Sequence, residues 1–152
     1  QCGCGKHGCI ETLASGRAIG KRAQEKLATG GGRDSILWEM SGGKLQTVSS
    51  EMVGRADAAG DRLAREVLSE TISLLSVWLG NIIDLLEPGV IIMGGGVAAM
   101  LKPFFPEIQE KTSRSCVNSR ALEIPLLPAC YGADSGIAGG AALCAPSSLA
   151  WN

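Results

Sequence analysis

Three thiols and an imidazole crowd the start of the chain in the run Cys2-Gly3-Cys4-Gly5-Lys6-His7-Gly8-Cys9. A glycine-rich loop can fold back on itself, and sulfur and nitrogen donors brought together in this way are what tetrahedral zinc takes. The bland alternative is three reduced cysteines with no metal. Exposed thiols this crowded would oxidise together unless something held them, which favours the metal. Spacing offers His7 as a fourth donor, but a chelate with a single residue between His7 and Cys9 would be cramped, so spacing does not settle it. Glu11 follows closely. Its carboxylate can accept two hydroxyl protons at once, or it can be an ordinary first-turn glutamate favoured by the helix dipole; the residues alone back the two evenly.

A second place where chemistry could sit is the apolar run Val90-Ile91-Ile92-Met93, which ends in Gly94-Gly95-Gly96-Val97. A strand that feeds a helix through glycines lets backbone N–H groups approach a phosphate or a nucleoside without side-chain interference. The pattern is neither the Rossmann nor the P-loop one. Spacing alone therefore favours a tight turn with no ligand.

The elements that must position these groups follow from periodicity. Ile10, Leu13, Ala14, Ala18, Ile19 and Ala23 recur at helical steps, predicting one helix from the last cysteine to about Leu27, stopped by Gly30-Gly31-Gly32. Residues 33–48 read as a hairpin around Ser41-Gly42-Gly43 or as a short helix capped by Asp34 or Ser35, with a lean to the helix. Ser49 or Ser50 caps a short helix to Ala59, and Gly60-Asp61 restarts a long one closed by Pro88. Its inner side is expected to carry Leu63, Val67, Leu68, Ile72, Leu75, Leu79, Ile82, Ile83 and Leu86. Val90–Met93 suits a buried parallel strand. A helix from about Ala98 follows, interrupted by Pro103 and Pro106 and resumed from Ile108 to Arg114. Leu122–Ala129 is expected as an edge strand because of Pro125 and Pro128, and Asp134 or Ser135 should cap a last helix, Ile137–Leu143. The class is α/β, helix-rich, with too few strands for a complete sheet.

Composition narrows the function. The 152 residues carry 14 Lys plus Arg against 15 Asp plus Glu, a net charge of −1, so no basic surface for nucleic acid is expected. With 45% apolar residues the chain can bury a core, which excludes disorder as the main reading. Aromatic residues are only 4% and scattered, so they offer no stacking platform for bases. The longest uncharged stretch that could be helical, Thr71–Ile83, is too short to span a bilayer, and we expect neither a membrane segment nor a signal peptide. Uneven cysteine spacing, with Cys116, Cys130 and Cys144 isolated, argues against a secreted disulfide framework and for a reducing, cytoplasmic compartment. The chain opens at Gln1 without an initiator methionine, which suggests processing or a start inside something larger.

The segment Cys-x-Cys-Gly-x-x-Gly-Cys-x-Glu, present as Cys2, Cys4, Gly5, Gly8, Cys9 and Glu11, resembles the signature of the ROK family of bacterial sugar kinases and sugar-responsive repressors. The similarity runs on through Gly60-Asp61, Gly80-Asn81-Ile82-Ile83-Asp84 with Pro88, Ile91 to Val97, and Gly132 to Ala142, and is strongest to the glucokinase branch. It implies the C-terminal part of an actin-like, ribonuclease H-like kinase lobe, divided into a zinc and sugar loop (1–11), a helical part (12–88), a nucleotide-side part (89–145) and a tail (146–152). The resemblance makes Cys2, Cys4 and Cys9 ligands of a structural zinc whose fourth ligand is a histidine upstream of the first cysteine, and it demotes His7. It makes Glu11 a sugar-hydroxyl contact and lays the adenosine side of ATP against Gly94, Gly95, Gly96 and Val97. For Gly136, Gly139 and Gly140, close helix packing remains the better reading.

What the resemblance implies for the intact protein is ATP- and Mg²⁺-dependent phosphorylation of a hexose, glucose first, with a ROK repressor as the alternative. The family's phosphate loop, catalytic aspartate and upstream histidine have no match in these residues. None of Asp34, Asp57, Asp61, Asp84 and Asp134 is therefore assigned as base, and this chain alone is expected to be inactive. Its partners are expected to be the hexose, ATP, and either a second copy or the N-terminal lobe.

Overall fold

Asp61 organises the architecture. In the computed structural model, which describes residues 1–144, one oxygen of its carboxylate accepts from the Ala64 amide at 2.7 Å. That cap starts α5, Arg62–Leu86. The other oxygen accepts from Ser35 Oγ at 2.8 Å and from the Ile36 amide at 2.6 Å. The same side chain thus ties α5 to the start of α3, Ile36–Met40, which Ser35 caps. The helix expected over this ambiguous stretch is present, followed by a 3₁₀ turn at Leu45–Thr47.

The α5 helix is the spine. Val67, Leu68, Ile72, Leu75, Leu79 and Ile83 are buried along one face, which packs against α2 (Gly16–Lys26), α4 (Ser50–Ala58, capped by Ser49) and α7 (Phe105–Ser115). By length and composition this helix could cross a membrane, but half of its apolar window is buried against its neighbours, as befits a core helix. Leu86, expected on the inner side, is instead 74% exposed, because the helix has run past the last element that covers it. Glu87 then turns left-handed at φ +42° and ends the helix one residue before Pro88.

The single helix expected from Ile10 to Leu27 is two. α1 is only Glu11–Ala14. Ser15 then goes extended (ψ 162°), and its side chain accepts from the Ala18 amide to cap α2. The apolar periodicity continues across this break because both helices pack on α5, which is why spacing did not show it.

β1, Ile91–Met93, pairs in parallel with β2, Leu126–Pro128, with Ile91 opposite Leu126. Both strands are shorter than expected. The prolines leave β2 few donors, and the segment before it is a 3₁₀ turn at Ala121–Glu123. Nor is β1 buried on both faces: Ile91 and Met93 pack on the core, while Ile92 on the other face is 64% exposed. The helix after β1, α6, begins at Gly96 rather than at Ala98 and runs to Leu101. A 3₁₀ turn containing Pro103 links it to α7, whose first turn takes Pro106 where no amide donor is needed.

α8 is Ser135–Leu143. Asp134 gives it no side-chain cap, while Ser135 Oγ donates back to the Gly132 carbonyl. Close packing at Gly136, Gly139 and Gly140 is not found among the described residues, since a Cβ on any of them would meet nothing within 4 Å. The expected tail, 146–152, lies outside the described residues.

Candidate functional site

The cysteine loop closes on itself through backbone bonds, Cys2 N–H to the Lys6 carbonyl at 2.8 Å and Gly5 N–H to the Cys2 carbonyl at 2.9 Å. Gly5 and Gly8 take φ of +85° and +79°, conformations that side chains disfavour, and they turn the chain so that the thiols converge. The sulfurs of Cys2, Cys4 and Cys9 all lie within 4.8 Å of one another, and Cys4 Sγ is 3.6 Å from Cys9 Sγ. Zinc–sulfur bonds of about 2.3 Å arranged tetrahedrally put ligand sulfurs about 3.8 Å apart, so the donor set and its spacing fit that ion. His7 is not part of the cluster.

All three cysteines are free thiols. The Lys6 backbone, and then the neighbouring thiols, hold Cys4 below its ordinary value. Hydrogen bonds with Cys4 and Cys2 push the Cys9 thiol up to about 11. A bound cation would take the place of the thiol protons and so let the three sulfurs ionise together.

From this loop the chain passes directly into α1. Thr12 seals the junction, its amide and hydroxyl both donating to the Cys9 carbonyl, at 2.9 and 2.7 Å. Glu11 is exposed and lines a groove of about 730 Å³ with Gln1, Cys2, Cys4, Thr12, Arg17 and Lys21. Among those lining residues it is the only carboxylate. The cysteine loop runs straight into this helical turn, so the thiol cluster and the Glu11 carboxylate stand on adjoining segments.

The glycine turn lies between β1 and α6. Gly95 adopts φ +89°, which only glycine takes readily, and a Cβ at Gly95 or Gly96 would stand in open space. Gly94 lies against the residue that follows β2, where a Cβ would come within 3.2 Å of Ala129 Cβ. Val97 packs against the start of α2: a Cβ on Gly16 would be 3.6 Å from Val97 Cγ2 and 2.9 Å from Ser50 Oγ. Val97 thus stands beside Gly16, whose neighbours Ser15 and Arg17 line the Glu11 groove.

Two contributors escaped sequence reasoning. Gly16 sits in a Ser-Gly pair that signals a helix break, and that signal was available. Arg22, which donates to the Leu13 carbonyl of α1, has no signal in sequence because its partners are distant along the chain.

With the geometry in place, the comparisons are specific. Residues 1–146 match the family model described as ROK family. The N-acetyl-D-glucosamine kinase of Pasteurella multocida is 29% identical over 94% of this chain and 41% of its own length. That of Pectobacterium carotovorum is 32% identical over 92% and 38%. Among solved structures, a ROK family glucokinase from Streptomyces griseus, in complex with glucose and AMPPNP, superposes with a TM-score of 0.83 at 26% identity. It is covered over 93% of this chain and 46% of its own. A ROK family transcriptional regulator superposes at 0.67 with 26% identity, covering 84% and 30%. The chain thus spans about two fifths of the curated relatives it matches. Signature, fold and family match agree along nearly the whole sequence: this chain belongs to the ROK family.

Proposed function

We propose that the intact protein transfers the γ-phosphoryl group of ATP to a hydroxyl of a hexose of the glucose type, using an actin-like lobe of which this chain is the C-terminal part. The observation that carries the reading is the placement of Glu11, an exposed carboxylate facing an open groove and held between a cysteine cluster and a sealed helical turn. Sugars present adjacent hydroxyls, and an ionised carboxylate accepts from two of them while donating nothing. Cys2, Cys4 and Cys9 would hold zinc as a structural ion, which sets the direction of Glu11 and takes no part in the transfer. The turn Gly94–Val97 would receive the adenosine side of ATP, because its glycines present backbone with no side chain in the way. ATP supplies the phosphoryl group and Mg²⁺ spreads its charge; what this chain does is bind and orient.

The relatives divide between glucose and N-acetylglucosamine in their names, and both sugars should be assayed. In the intact protein, Glu11→Gln keeps the shape but replaces an ionised acceptor by an amide that offers one oxygen. A hydrogen bond to a charged group is worth about 1.5–3 kcal/mol, so the sugar KM should rise about 10- to 100-fold. The ATP KM should stay within about threefold if the two sites are separate. An unchanged sugar KM would leave Glu11 only its place in the helix dipole.

We further expect His7→Ala to keep its metal, since His7 lies outside the sulfur cluster. Metal analysis of that variant checks this; loss of zinc would make His7 the fourth ligand.

The similarity to a transcriptional regulator favours one second reading. A sugar sensor would use the same groove without phosphoryl transfer, and sugar binding with no ADP release by the intact protein would decide for it.

A further inference from the structure

We propose that Arg22 is a positioning residue whose guanidinium bolts the turn carrying Glu11 to the buried spine of the domain. The inference rests on the sugar-binding reading of Glu11 and adds the device that fixes it. α1 is too short to hold itself: four residues, ending where Ser15 turns extended. The chain therefore supplies no following helical turn to satisfy its last carbonyls. The Leu13 carbonyl instead accepts from Arg22 Nη2 at 2.7 Å.

The other arm of the same fork reaches the core. Arg22 Nη1 donates to Thr71 Oγ1 at 2.7 Å. Thr71 is completely buried in α5, and its own hydroxyl donates to the Val67 carbonyl at 2.8 Å. The hydroxyl has thus one proton committed to the helix and a lone pair turned to Arg22, so its orientation is determined. Arg22 Nε lies 3.5 Å from Glu70 Oε2, and the Arg22 side chain is only 16% exposed. A planar fork suits this task in a way that an ammonium does not, because two nitrogens at fixed separation address two partners at once.

One turn further along α2, Lys26 pairs with Glu66 and Glu70 of the same long helix. It supplies α2 with a comparable charged tie to α5 but makes no bond to α1. Lys26 is therefore the internal control. If charge between α2 and α5 were all that mattered, the two positions would behave alike.

The test compares Arg22→Met, Arg22→Lys and Lys26→Met in the intact protein, by melting temperature, by hydrogen exchange and by sugar and ATP KM. The amides of Thr12, Leu13 and Ala14, which bond to the carbonyls of Cys9 and Ile10, report on α1 without reference to activity. Arg22→Met is expected to speed their exchange and raise the sugar KM, each about tenfold or more, with little change in ATP KM. Arg22→Lys should restore only part of both. Lys26→Met should lower the melting temperature while leaving α1 exchange and sugar KM near parental values. Equal α1 exchange in Arg22→Met and Lys26→Met would overturn the proposal. So would faster exchange with an unmoved sugar KM in a protein whose Glu11→Gln variant does raise it. If Glu11→Gln itself leaves the sugar KM unmoved, the sugar reading fails, and the exchange data alone uphold or reject Arg22 as the anchor of α1.

Discussion

Cys4→Ser should release zinc from the intact protein, from about one ion per chain to almost none, and lower its melting temperature markedly. Cys4 has the strongest claim of the three positions. It is the thiol held below its ordinary value, and it stands 3.6 Å from the next sulfur. A serine hydroxyl does not ionise in the accessible range, so the substitution removes one of the three thiolates from the ligand set. The structural consequence follows from how little else closes the loop. Residues 1–9 contain no helix or strand and are held among themselves chiefly by the two backbone bonds at Cys2 and Gly5. Metal binding energy is folding energy for such a segment, and losing it should free the loop and, through Thr12, loosen the turn that carries Glu11. The sugar KM should therefore rise in Cys4→Ser even though serine is no larger than cysteine. Zinc affinity in the parent should also fall as pH falls. Ligation must displace thiol protons, and the Cys9 thiol, pushed up to about 11, holds its proton over the whole neutral range. Full zinc content in Cys4→Ser would sink the assignment.

The site was legible where chemistry depends on neighbours in sequence. Cys2, Cys4 and Cys9 are close along the chain, and glycines between them permit the positive φ angles that bring the sulfurs together. Caps were legible for the same reason: Ser35, Ser49 and Asp61 each bond amides within three residues. What periodicity could not show was anything decided by distant partners. The break at Ser15 kept the apolar stripe intact, so the pattern read as one helix where packing required two. Leu86 continued the stripe of α5 but found nothing to cover it. The alternation in β1 was hidden by a run of four apolar residues, and only the pairing with β2 shows which of them face the core. Arg22 belongs with these, since its partners Leu13 and Thr71 lie on either side of it in sequence and meet only in the fold.

The 152-residue chain by itself should give no sugar-dependent ADP release above background with glucose or N-acetylglucosamine, ATP and Mg²⁺. Phosphoryl transfer needs a base within reach of the attacking hydroxyl, a held γ-phosphate and Mg²⁺, and most of the rate comes from positioning these together. The aspartates of this chain have other tasks or other places. Asp57 is buried, and burial raises its carboxyl while Arg65, whose Nε is 2.7 Å away, opposes the rise. Asp61 spends both oxygens on caps. Asp84 accepts from the amides of Val117 and Asn118 at 3.0 and 2.9 Å, tying the end of α7 to α5. Asp34 and Asp134 are exposed and do not line the groove. Glu11 does, but a carboxylate that accepts from hydroxyls to bind a sugar is not free to be the base for another. Removing a general base typically costs about two to four orders of magnitude in rate, and lacking a phosphate cradle as well should bring turnover below detection. The assay is coupled ADP release from the purified chain, repeated after adding the remainder of the protein as a separate polypeptide. Recovery on addition would show that the chain contributes a competent part, with the edge of β1 that does not pair with β2 as the natural seat for further strands. Turnover by the chain alone would mean that one of its own carboxylates is the base, and Glu11 would be the first to test.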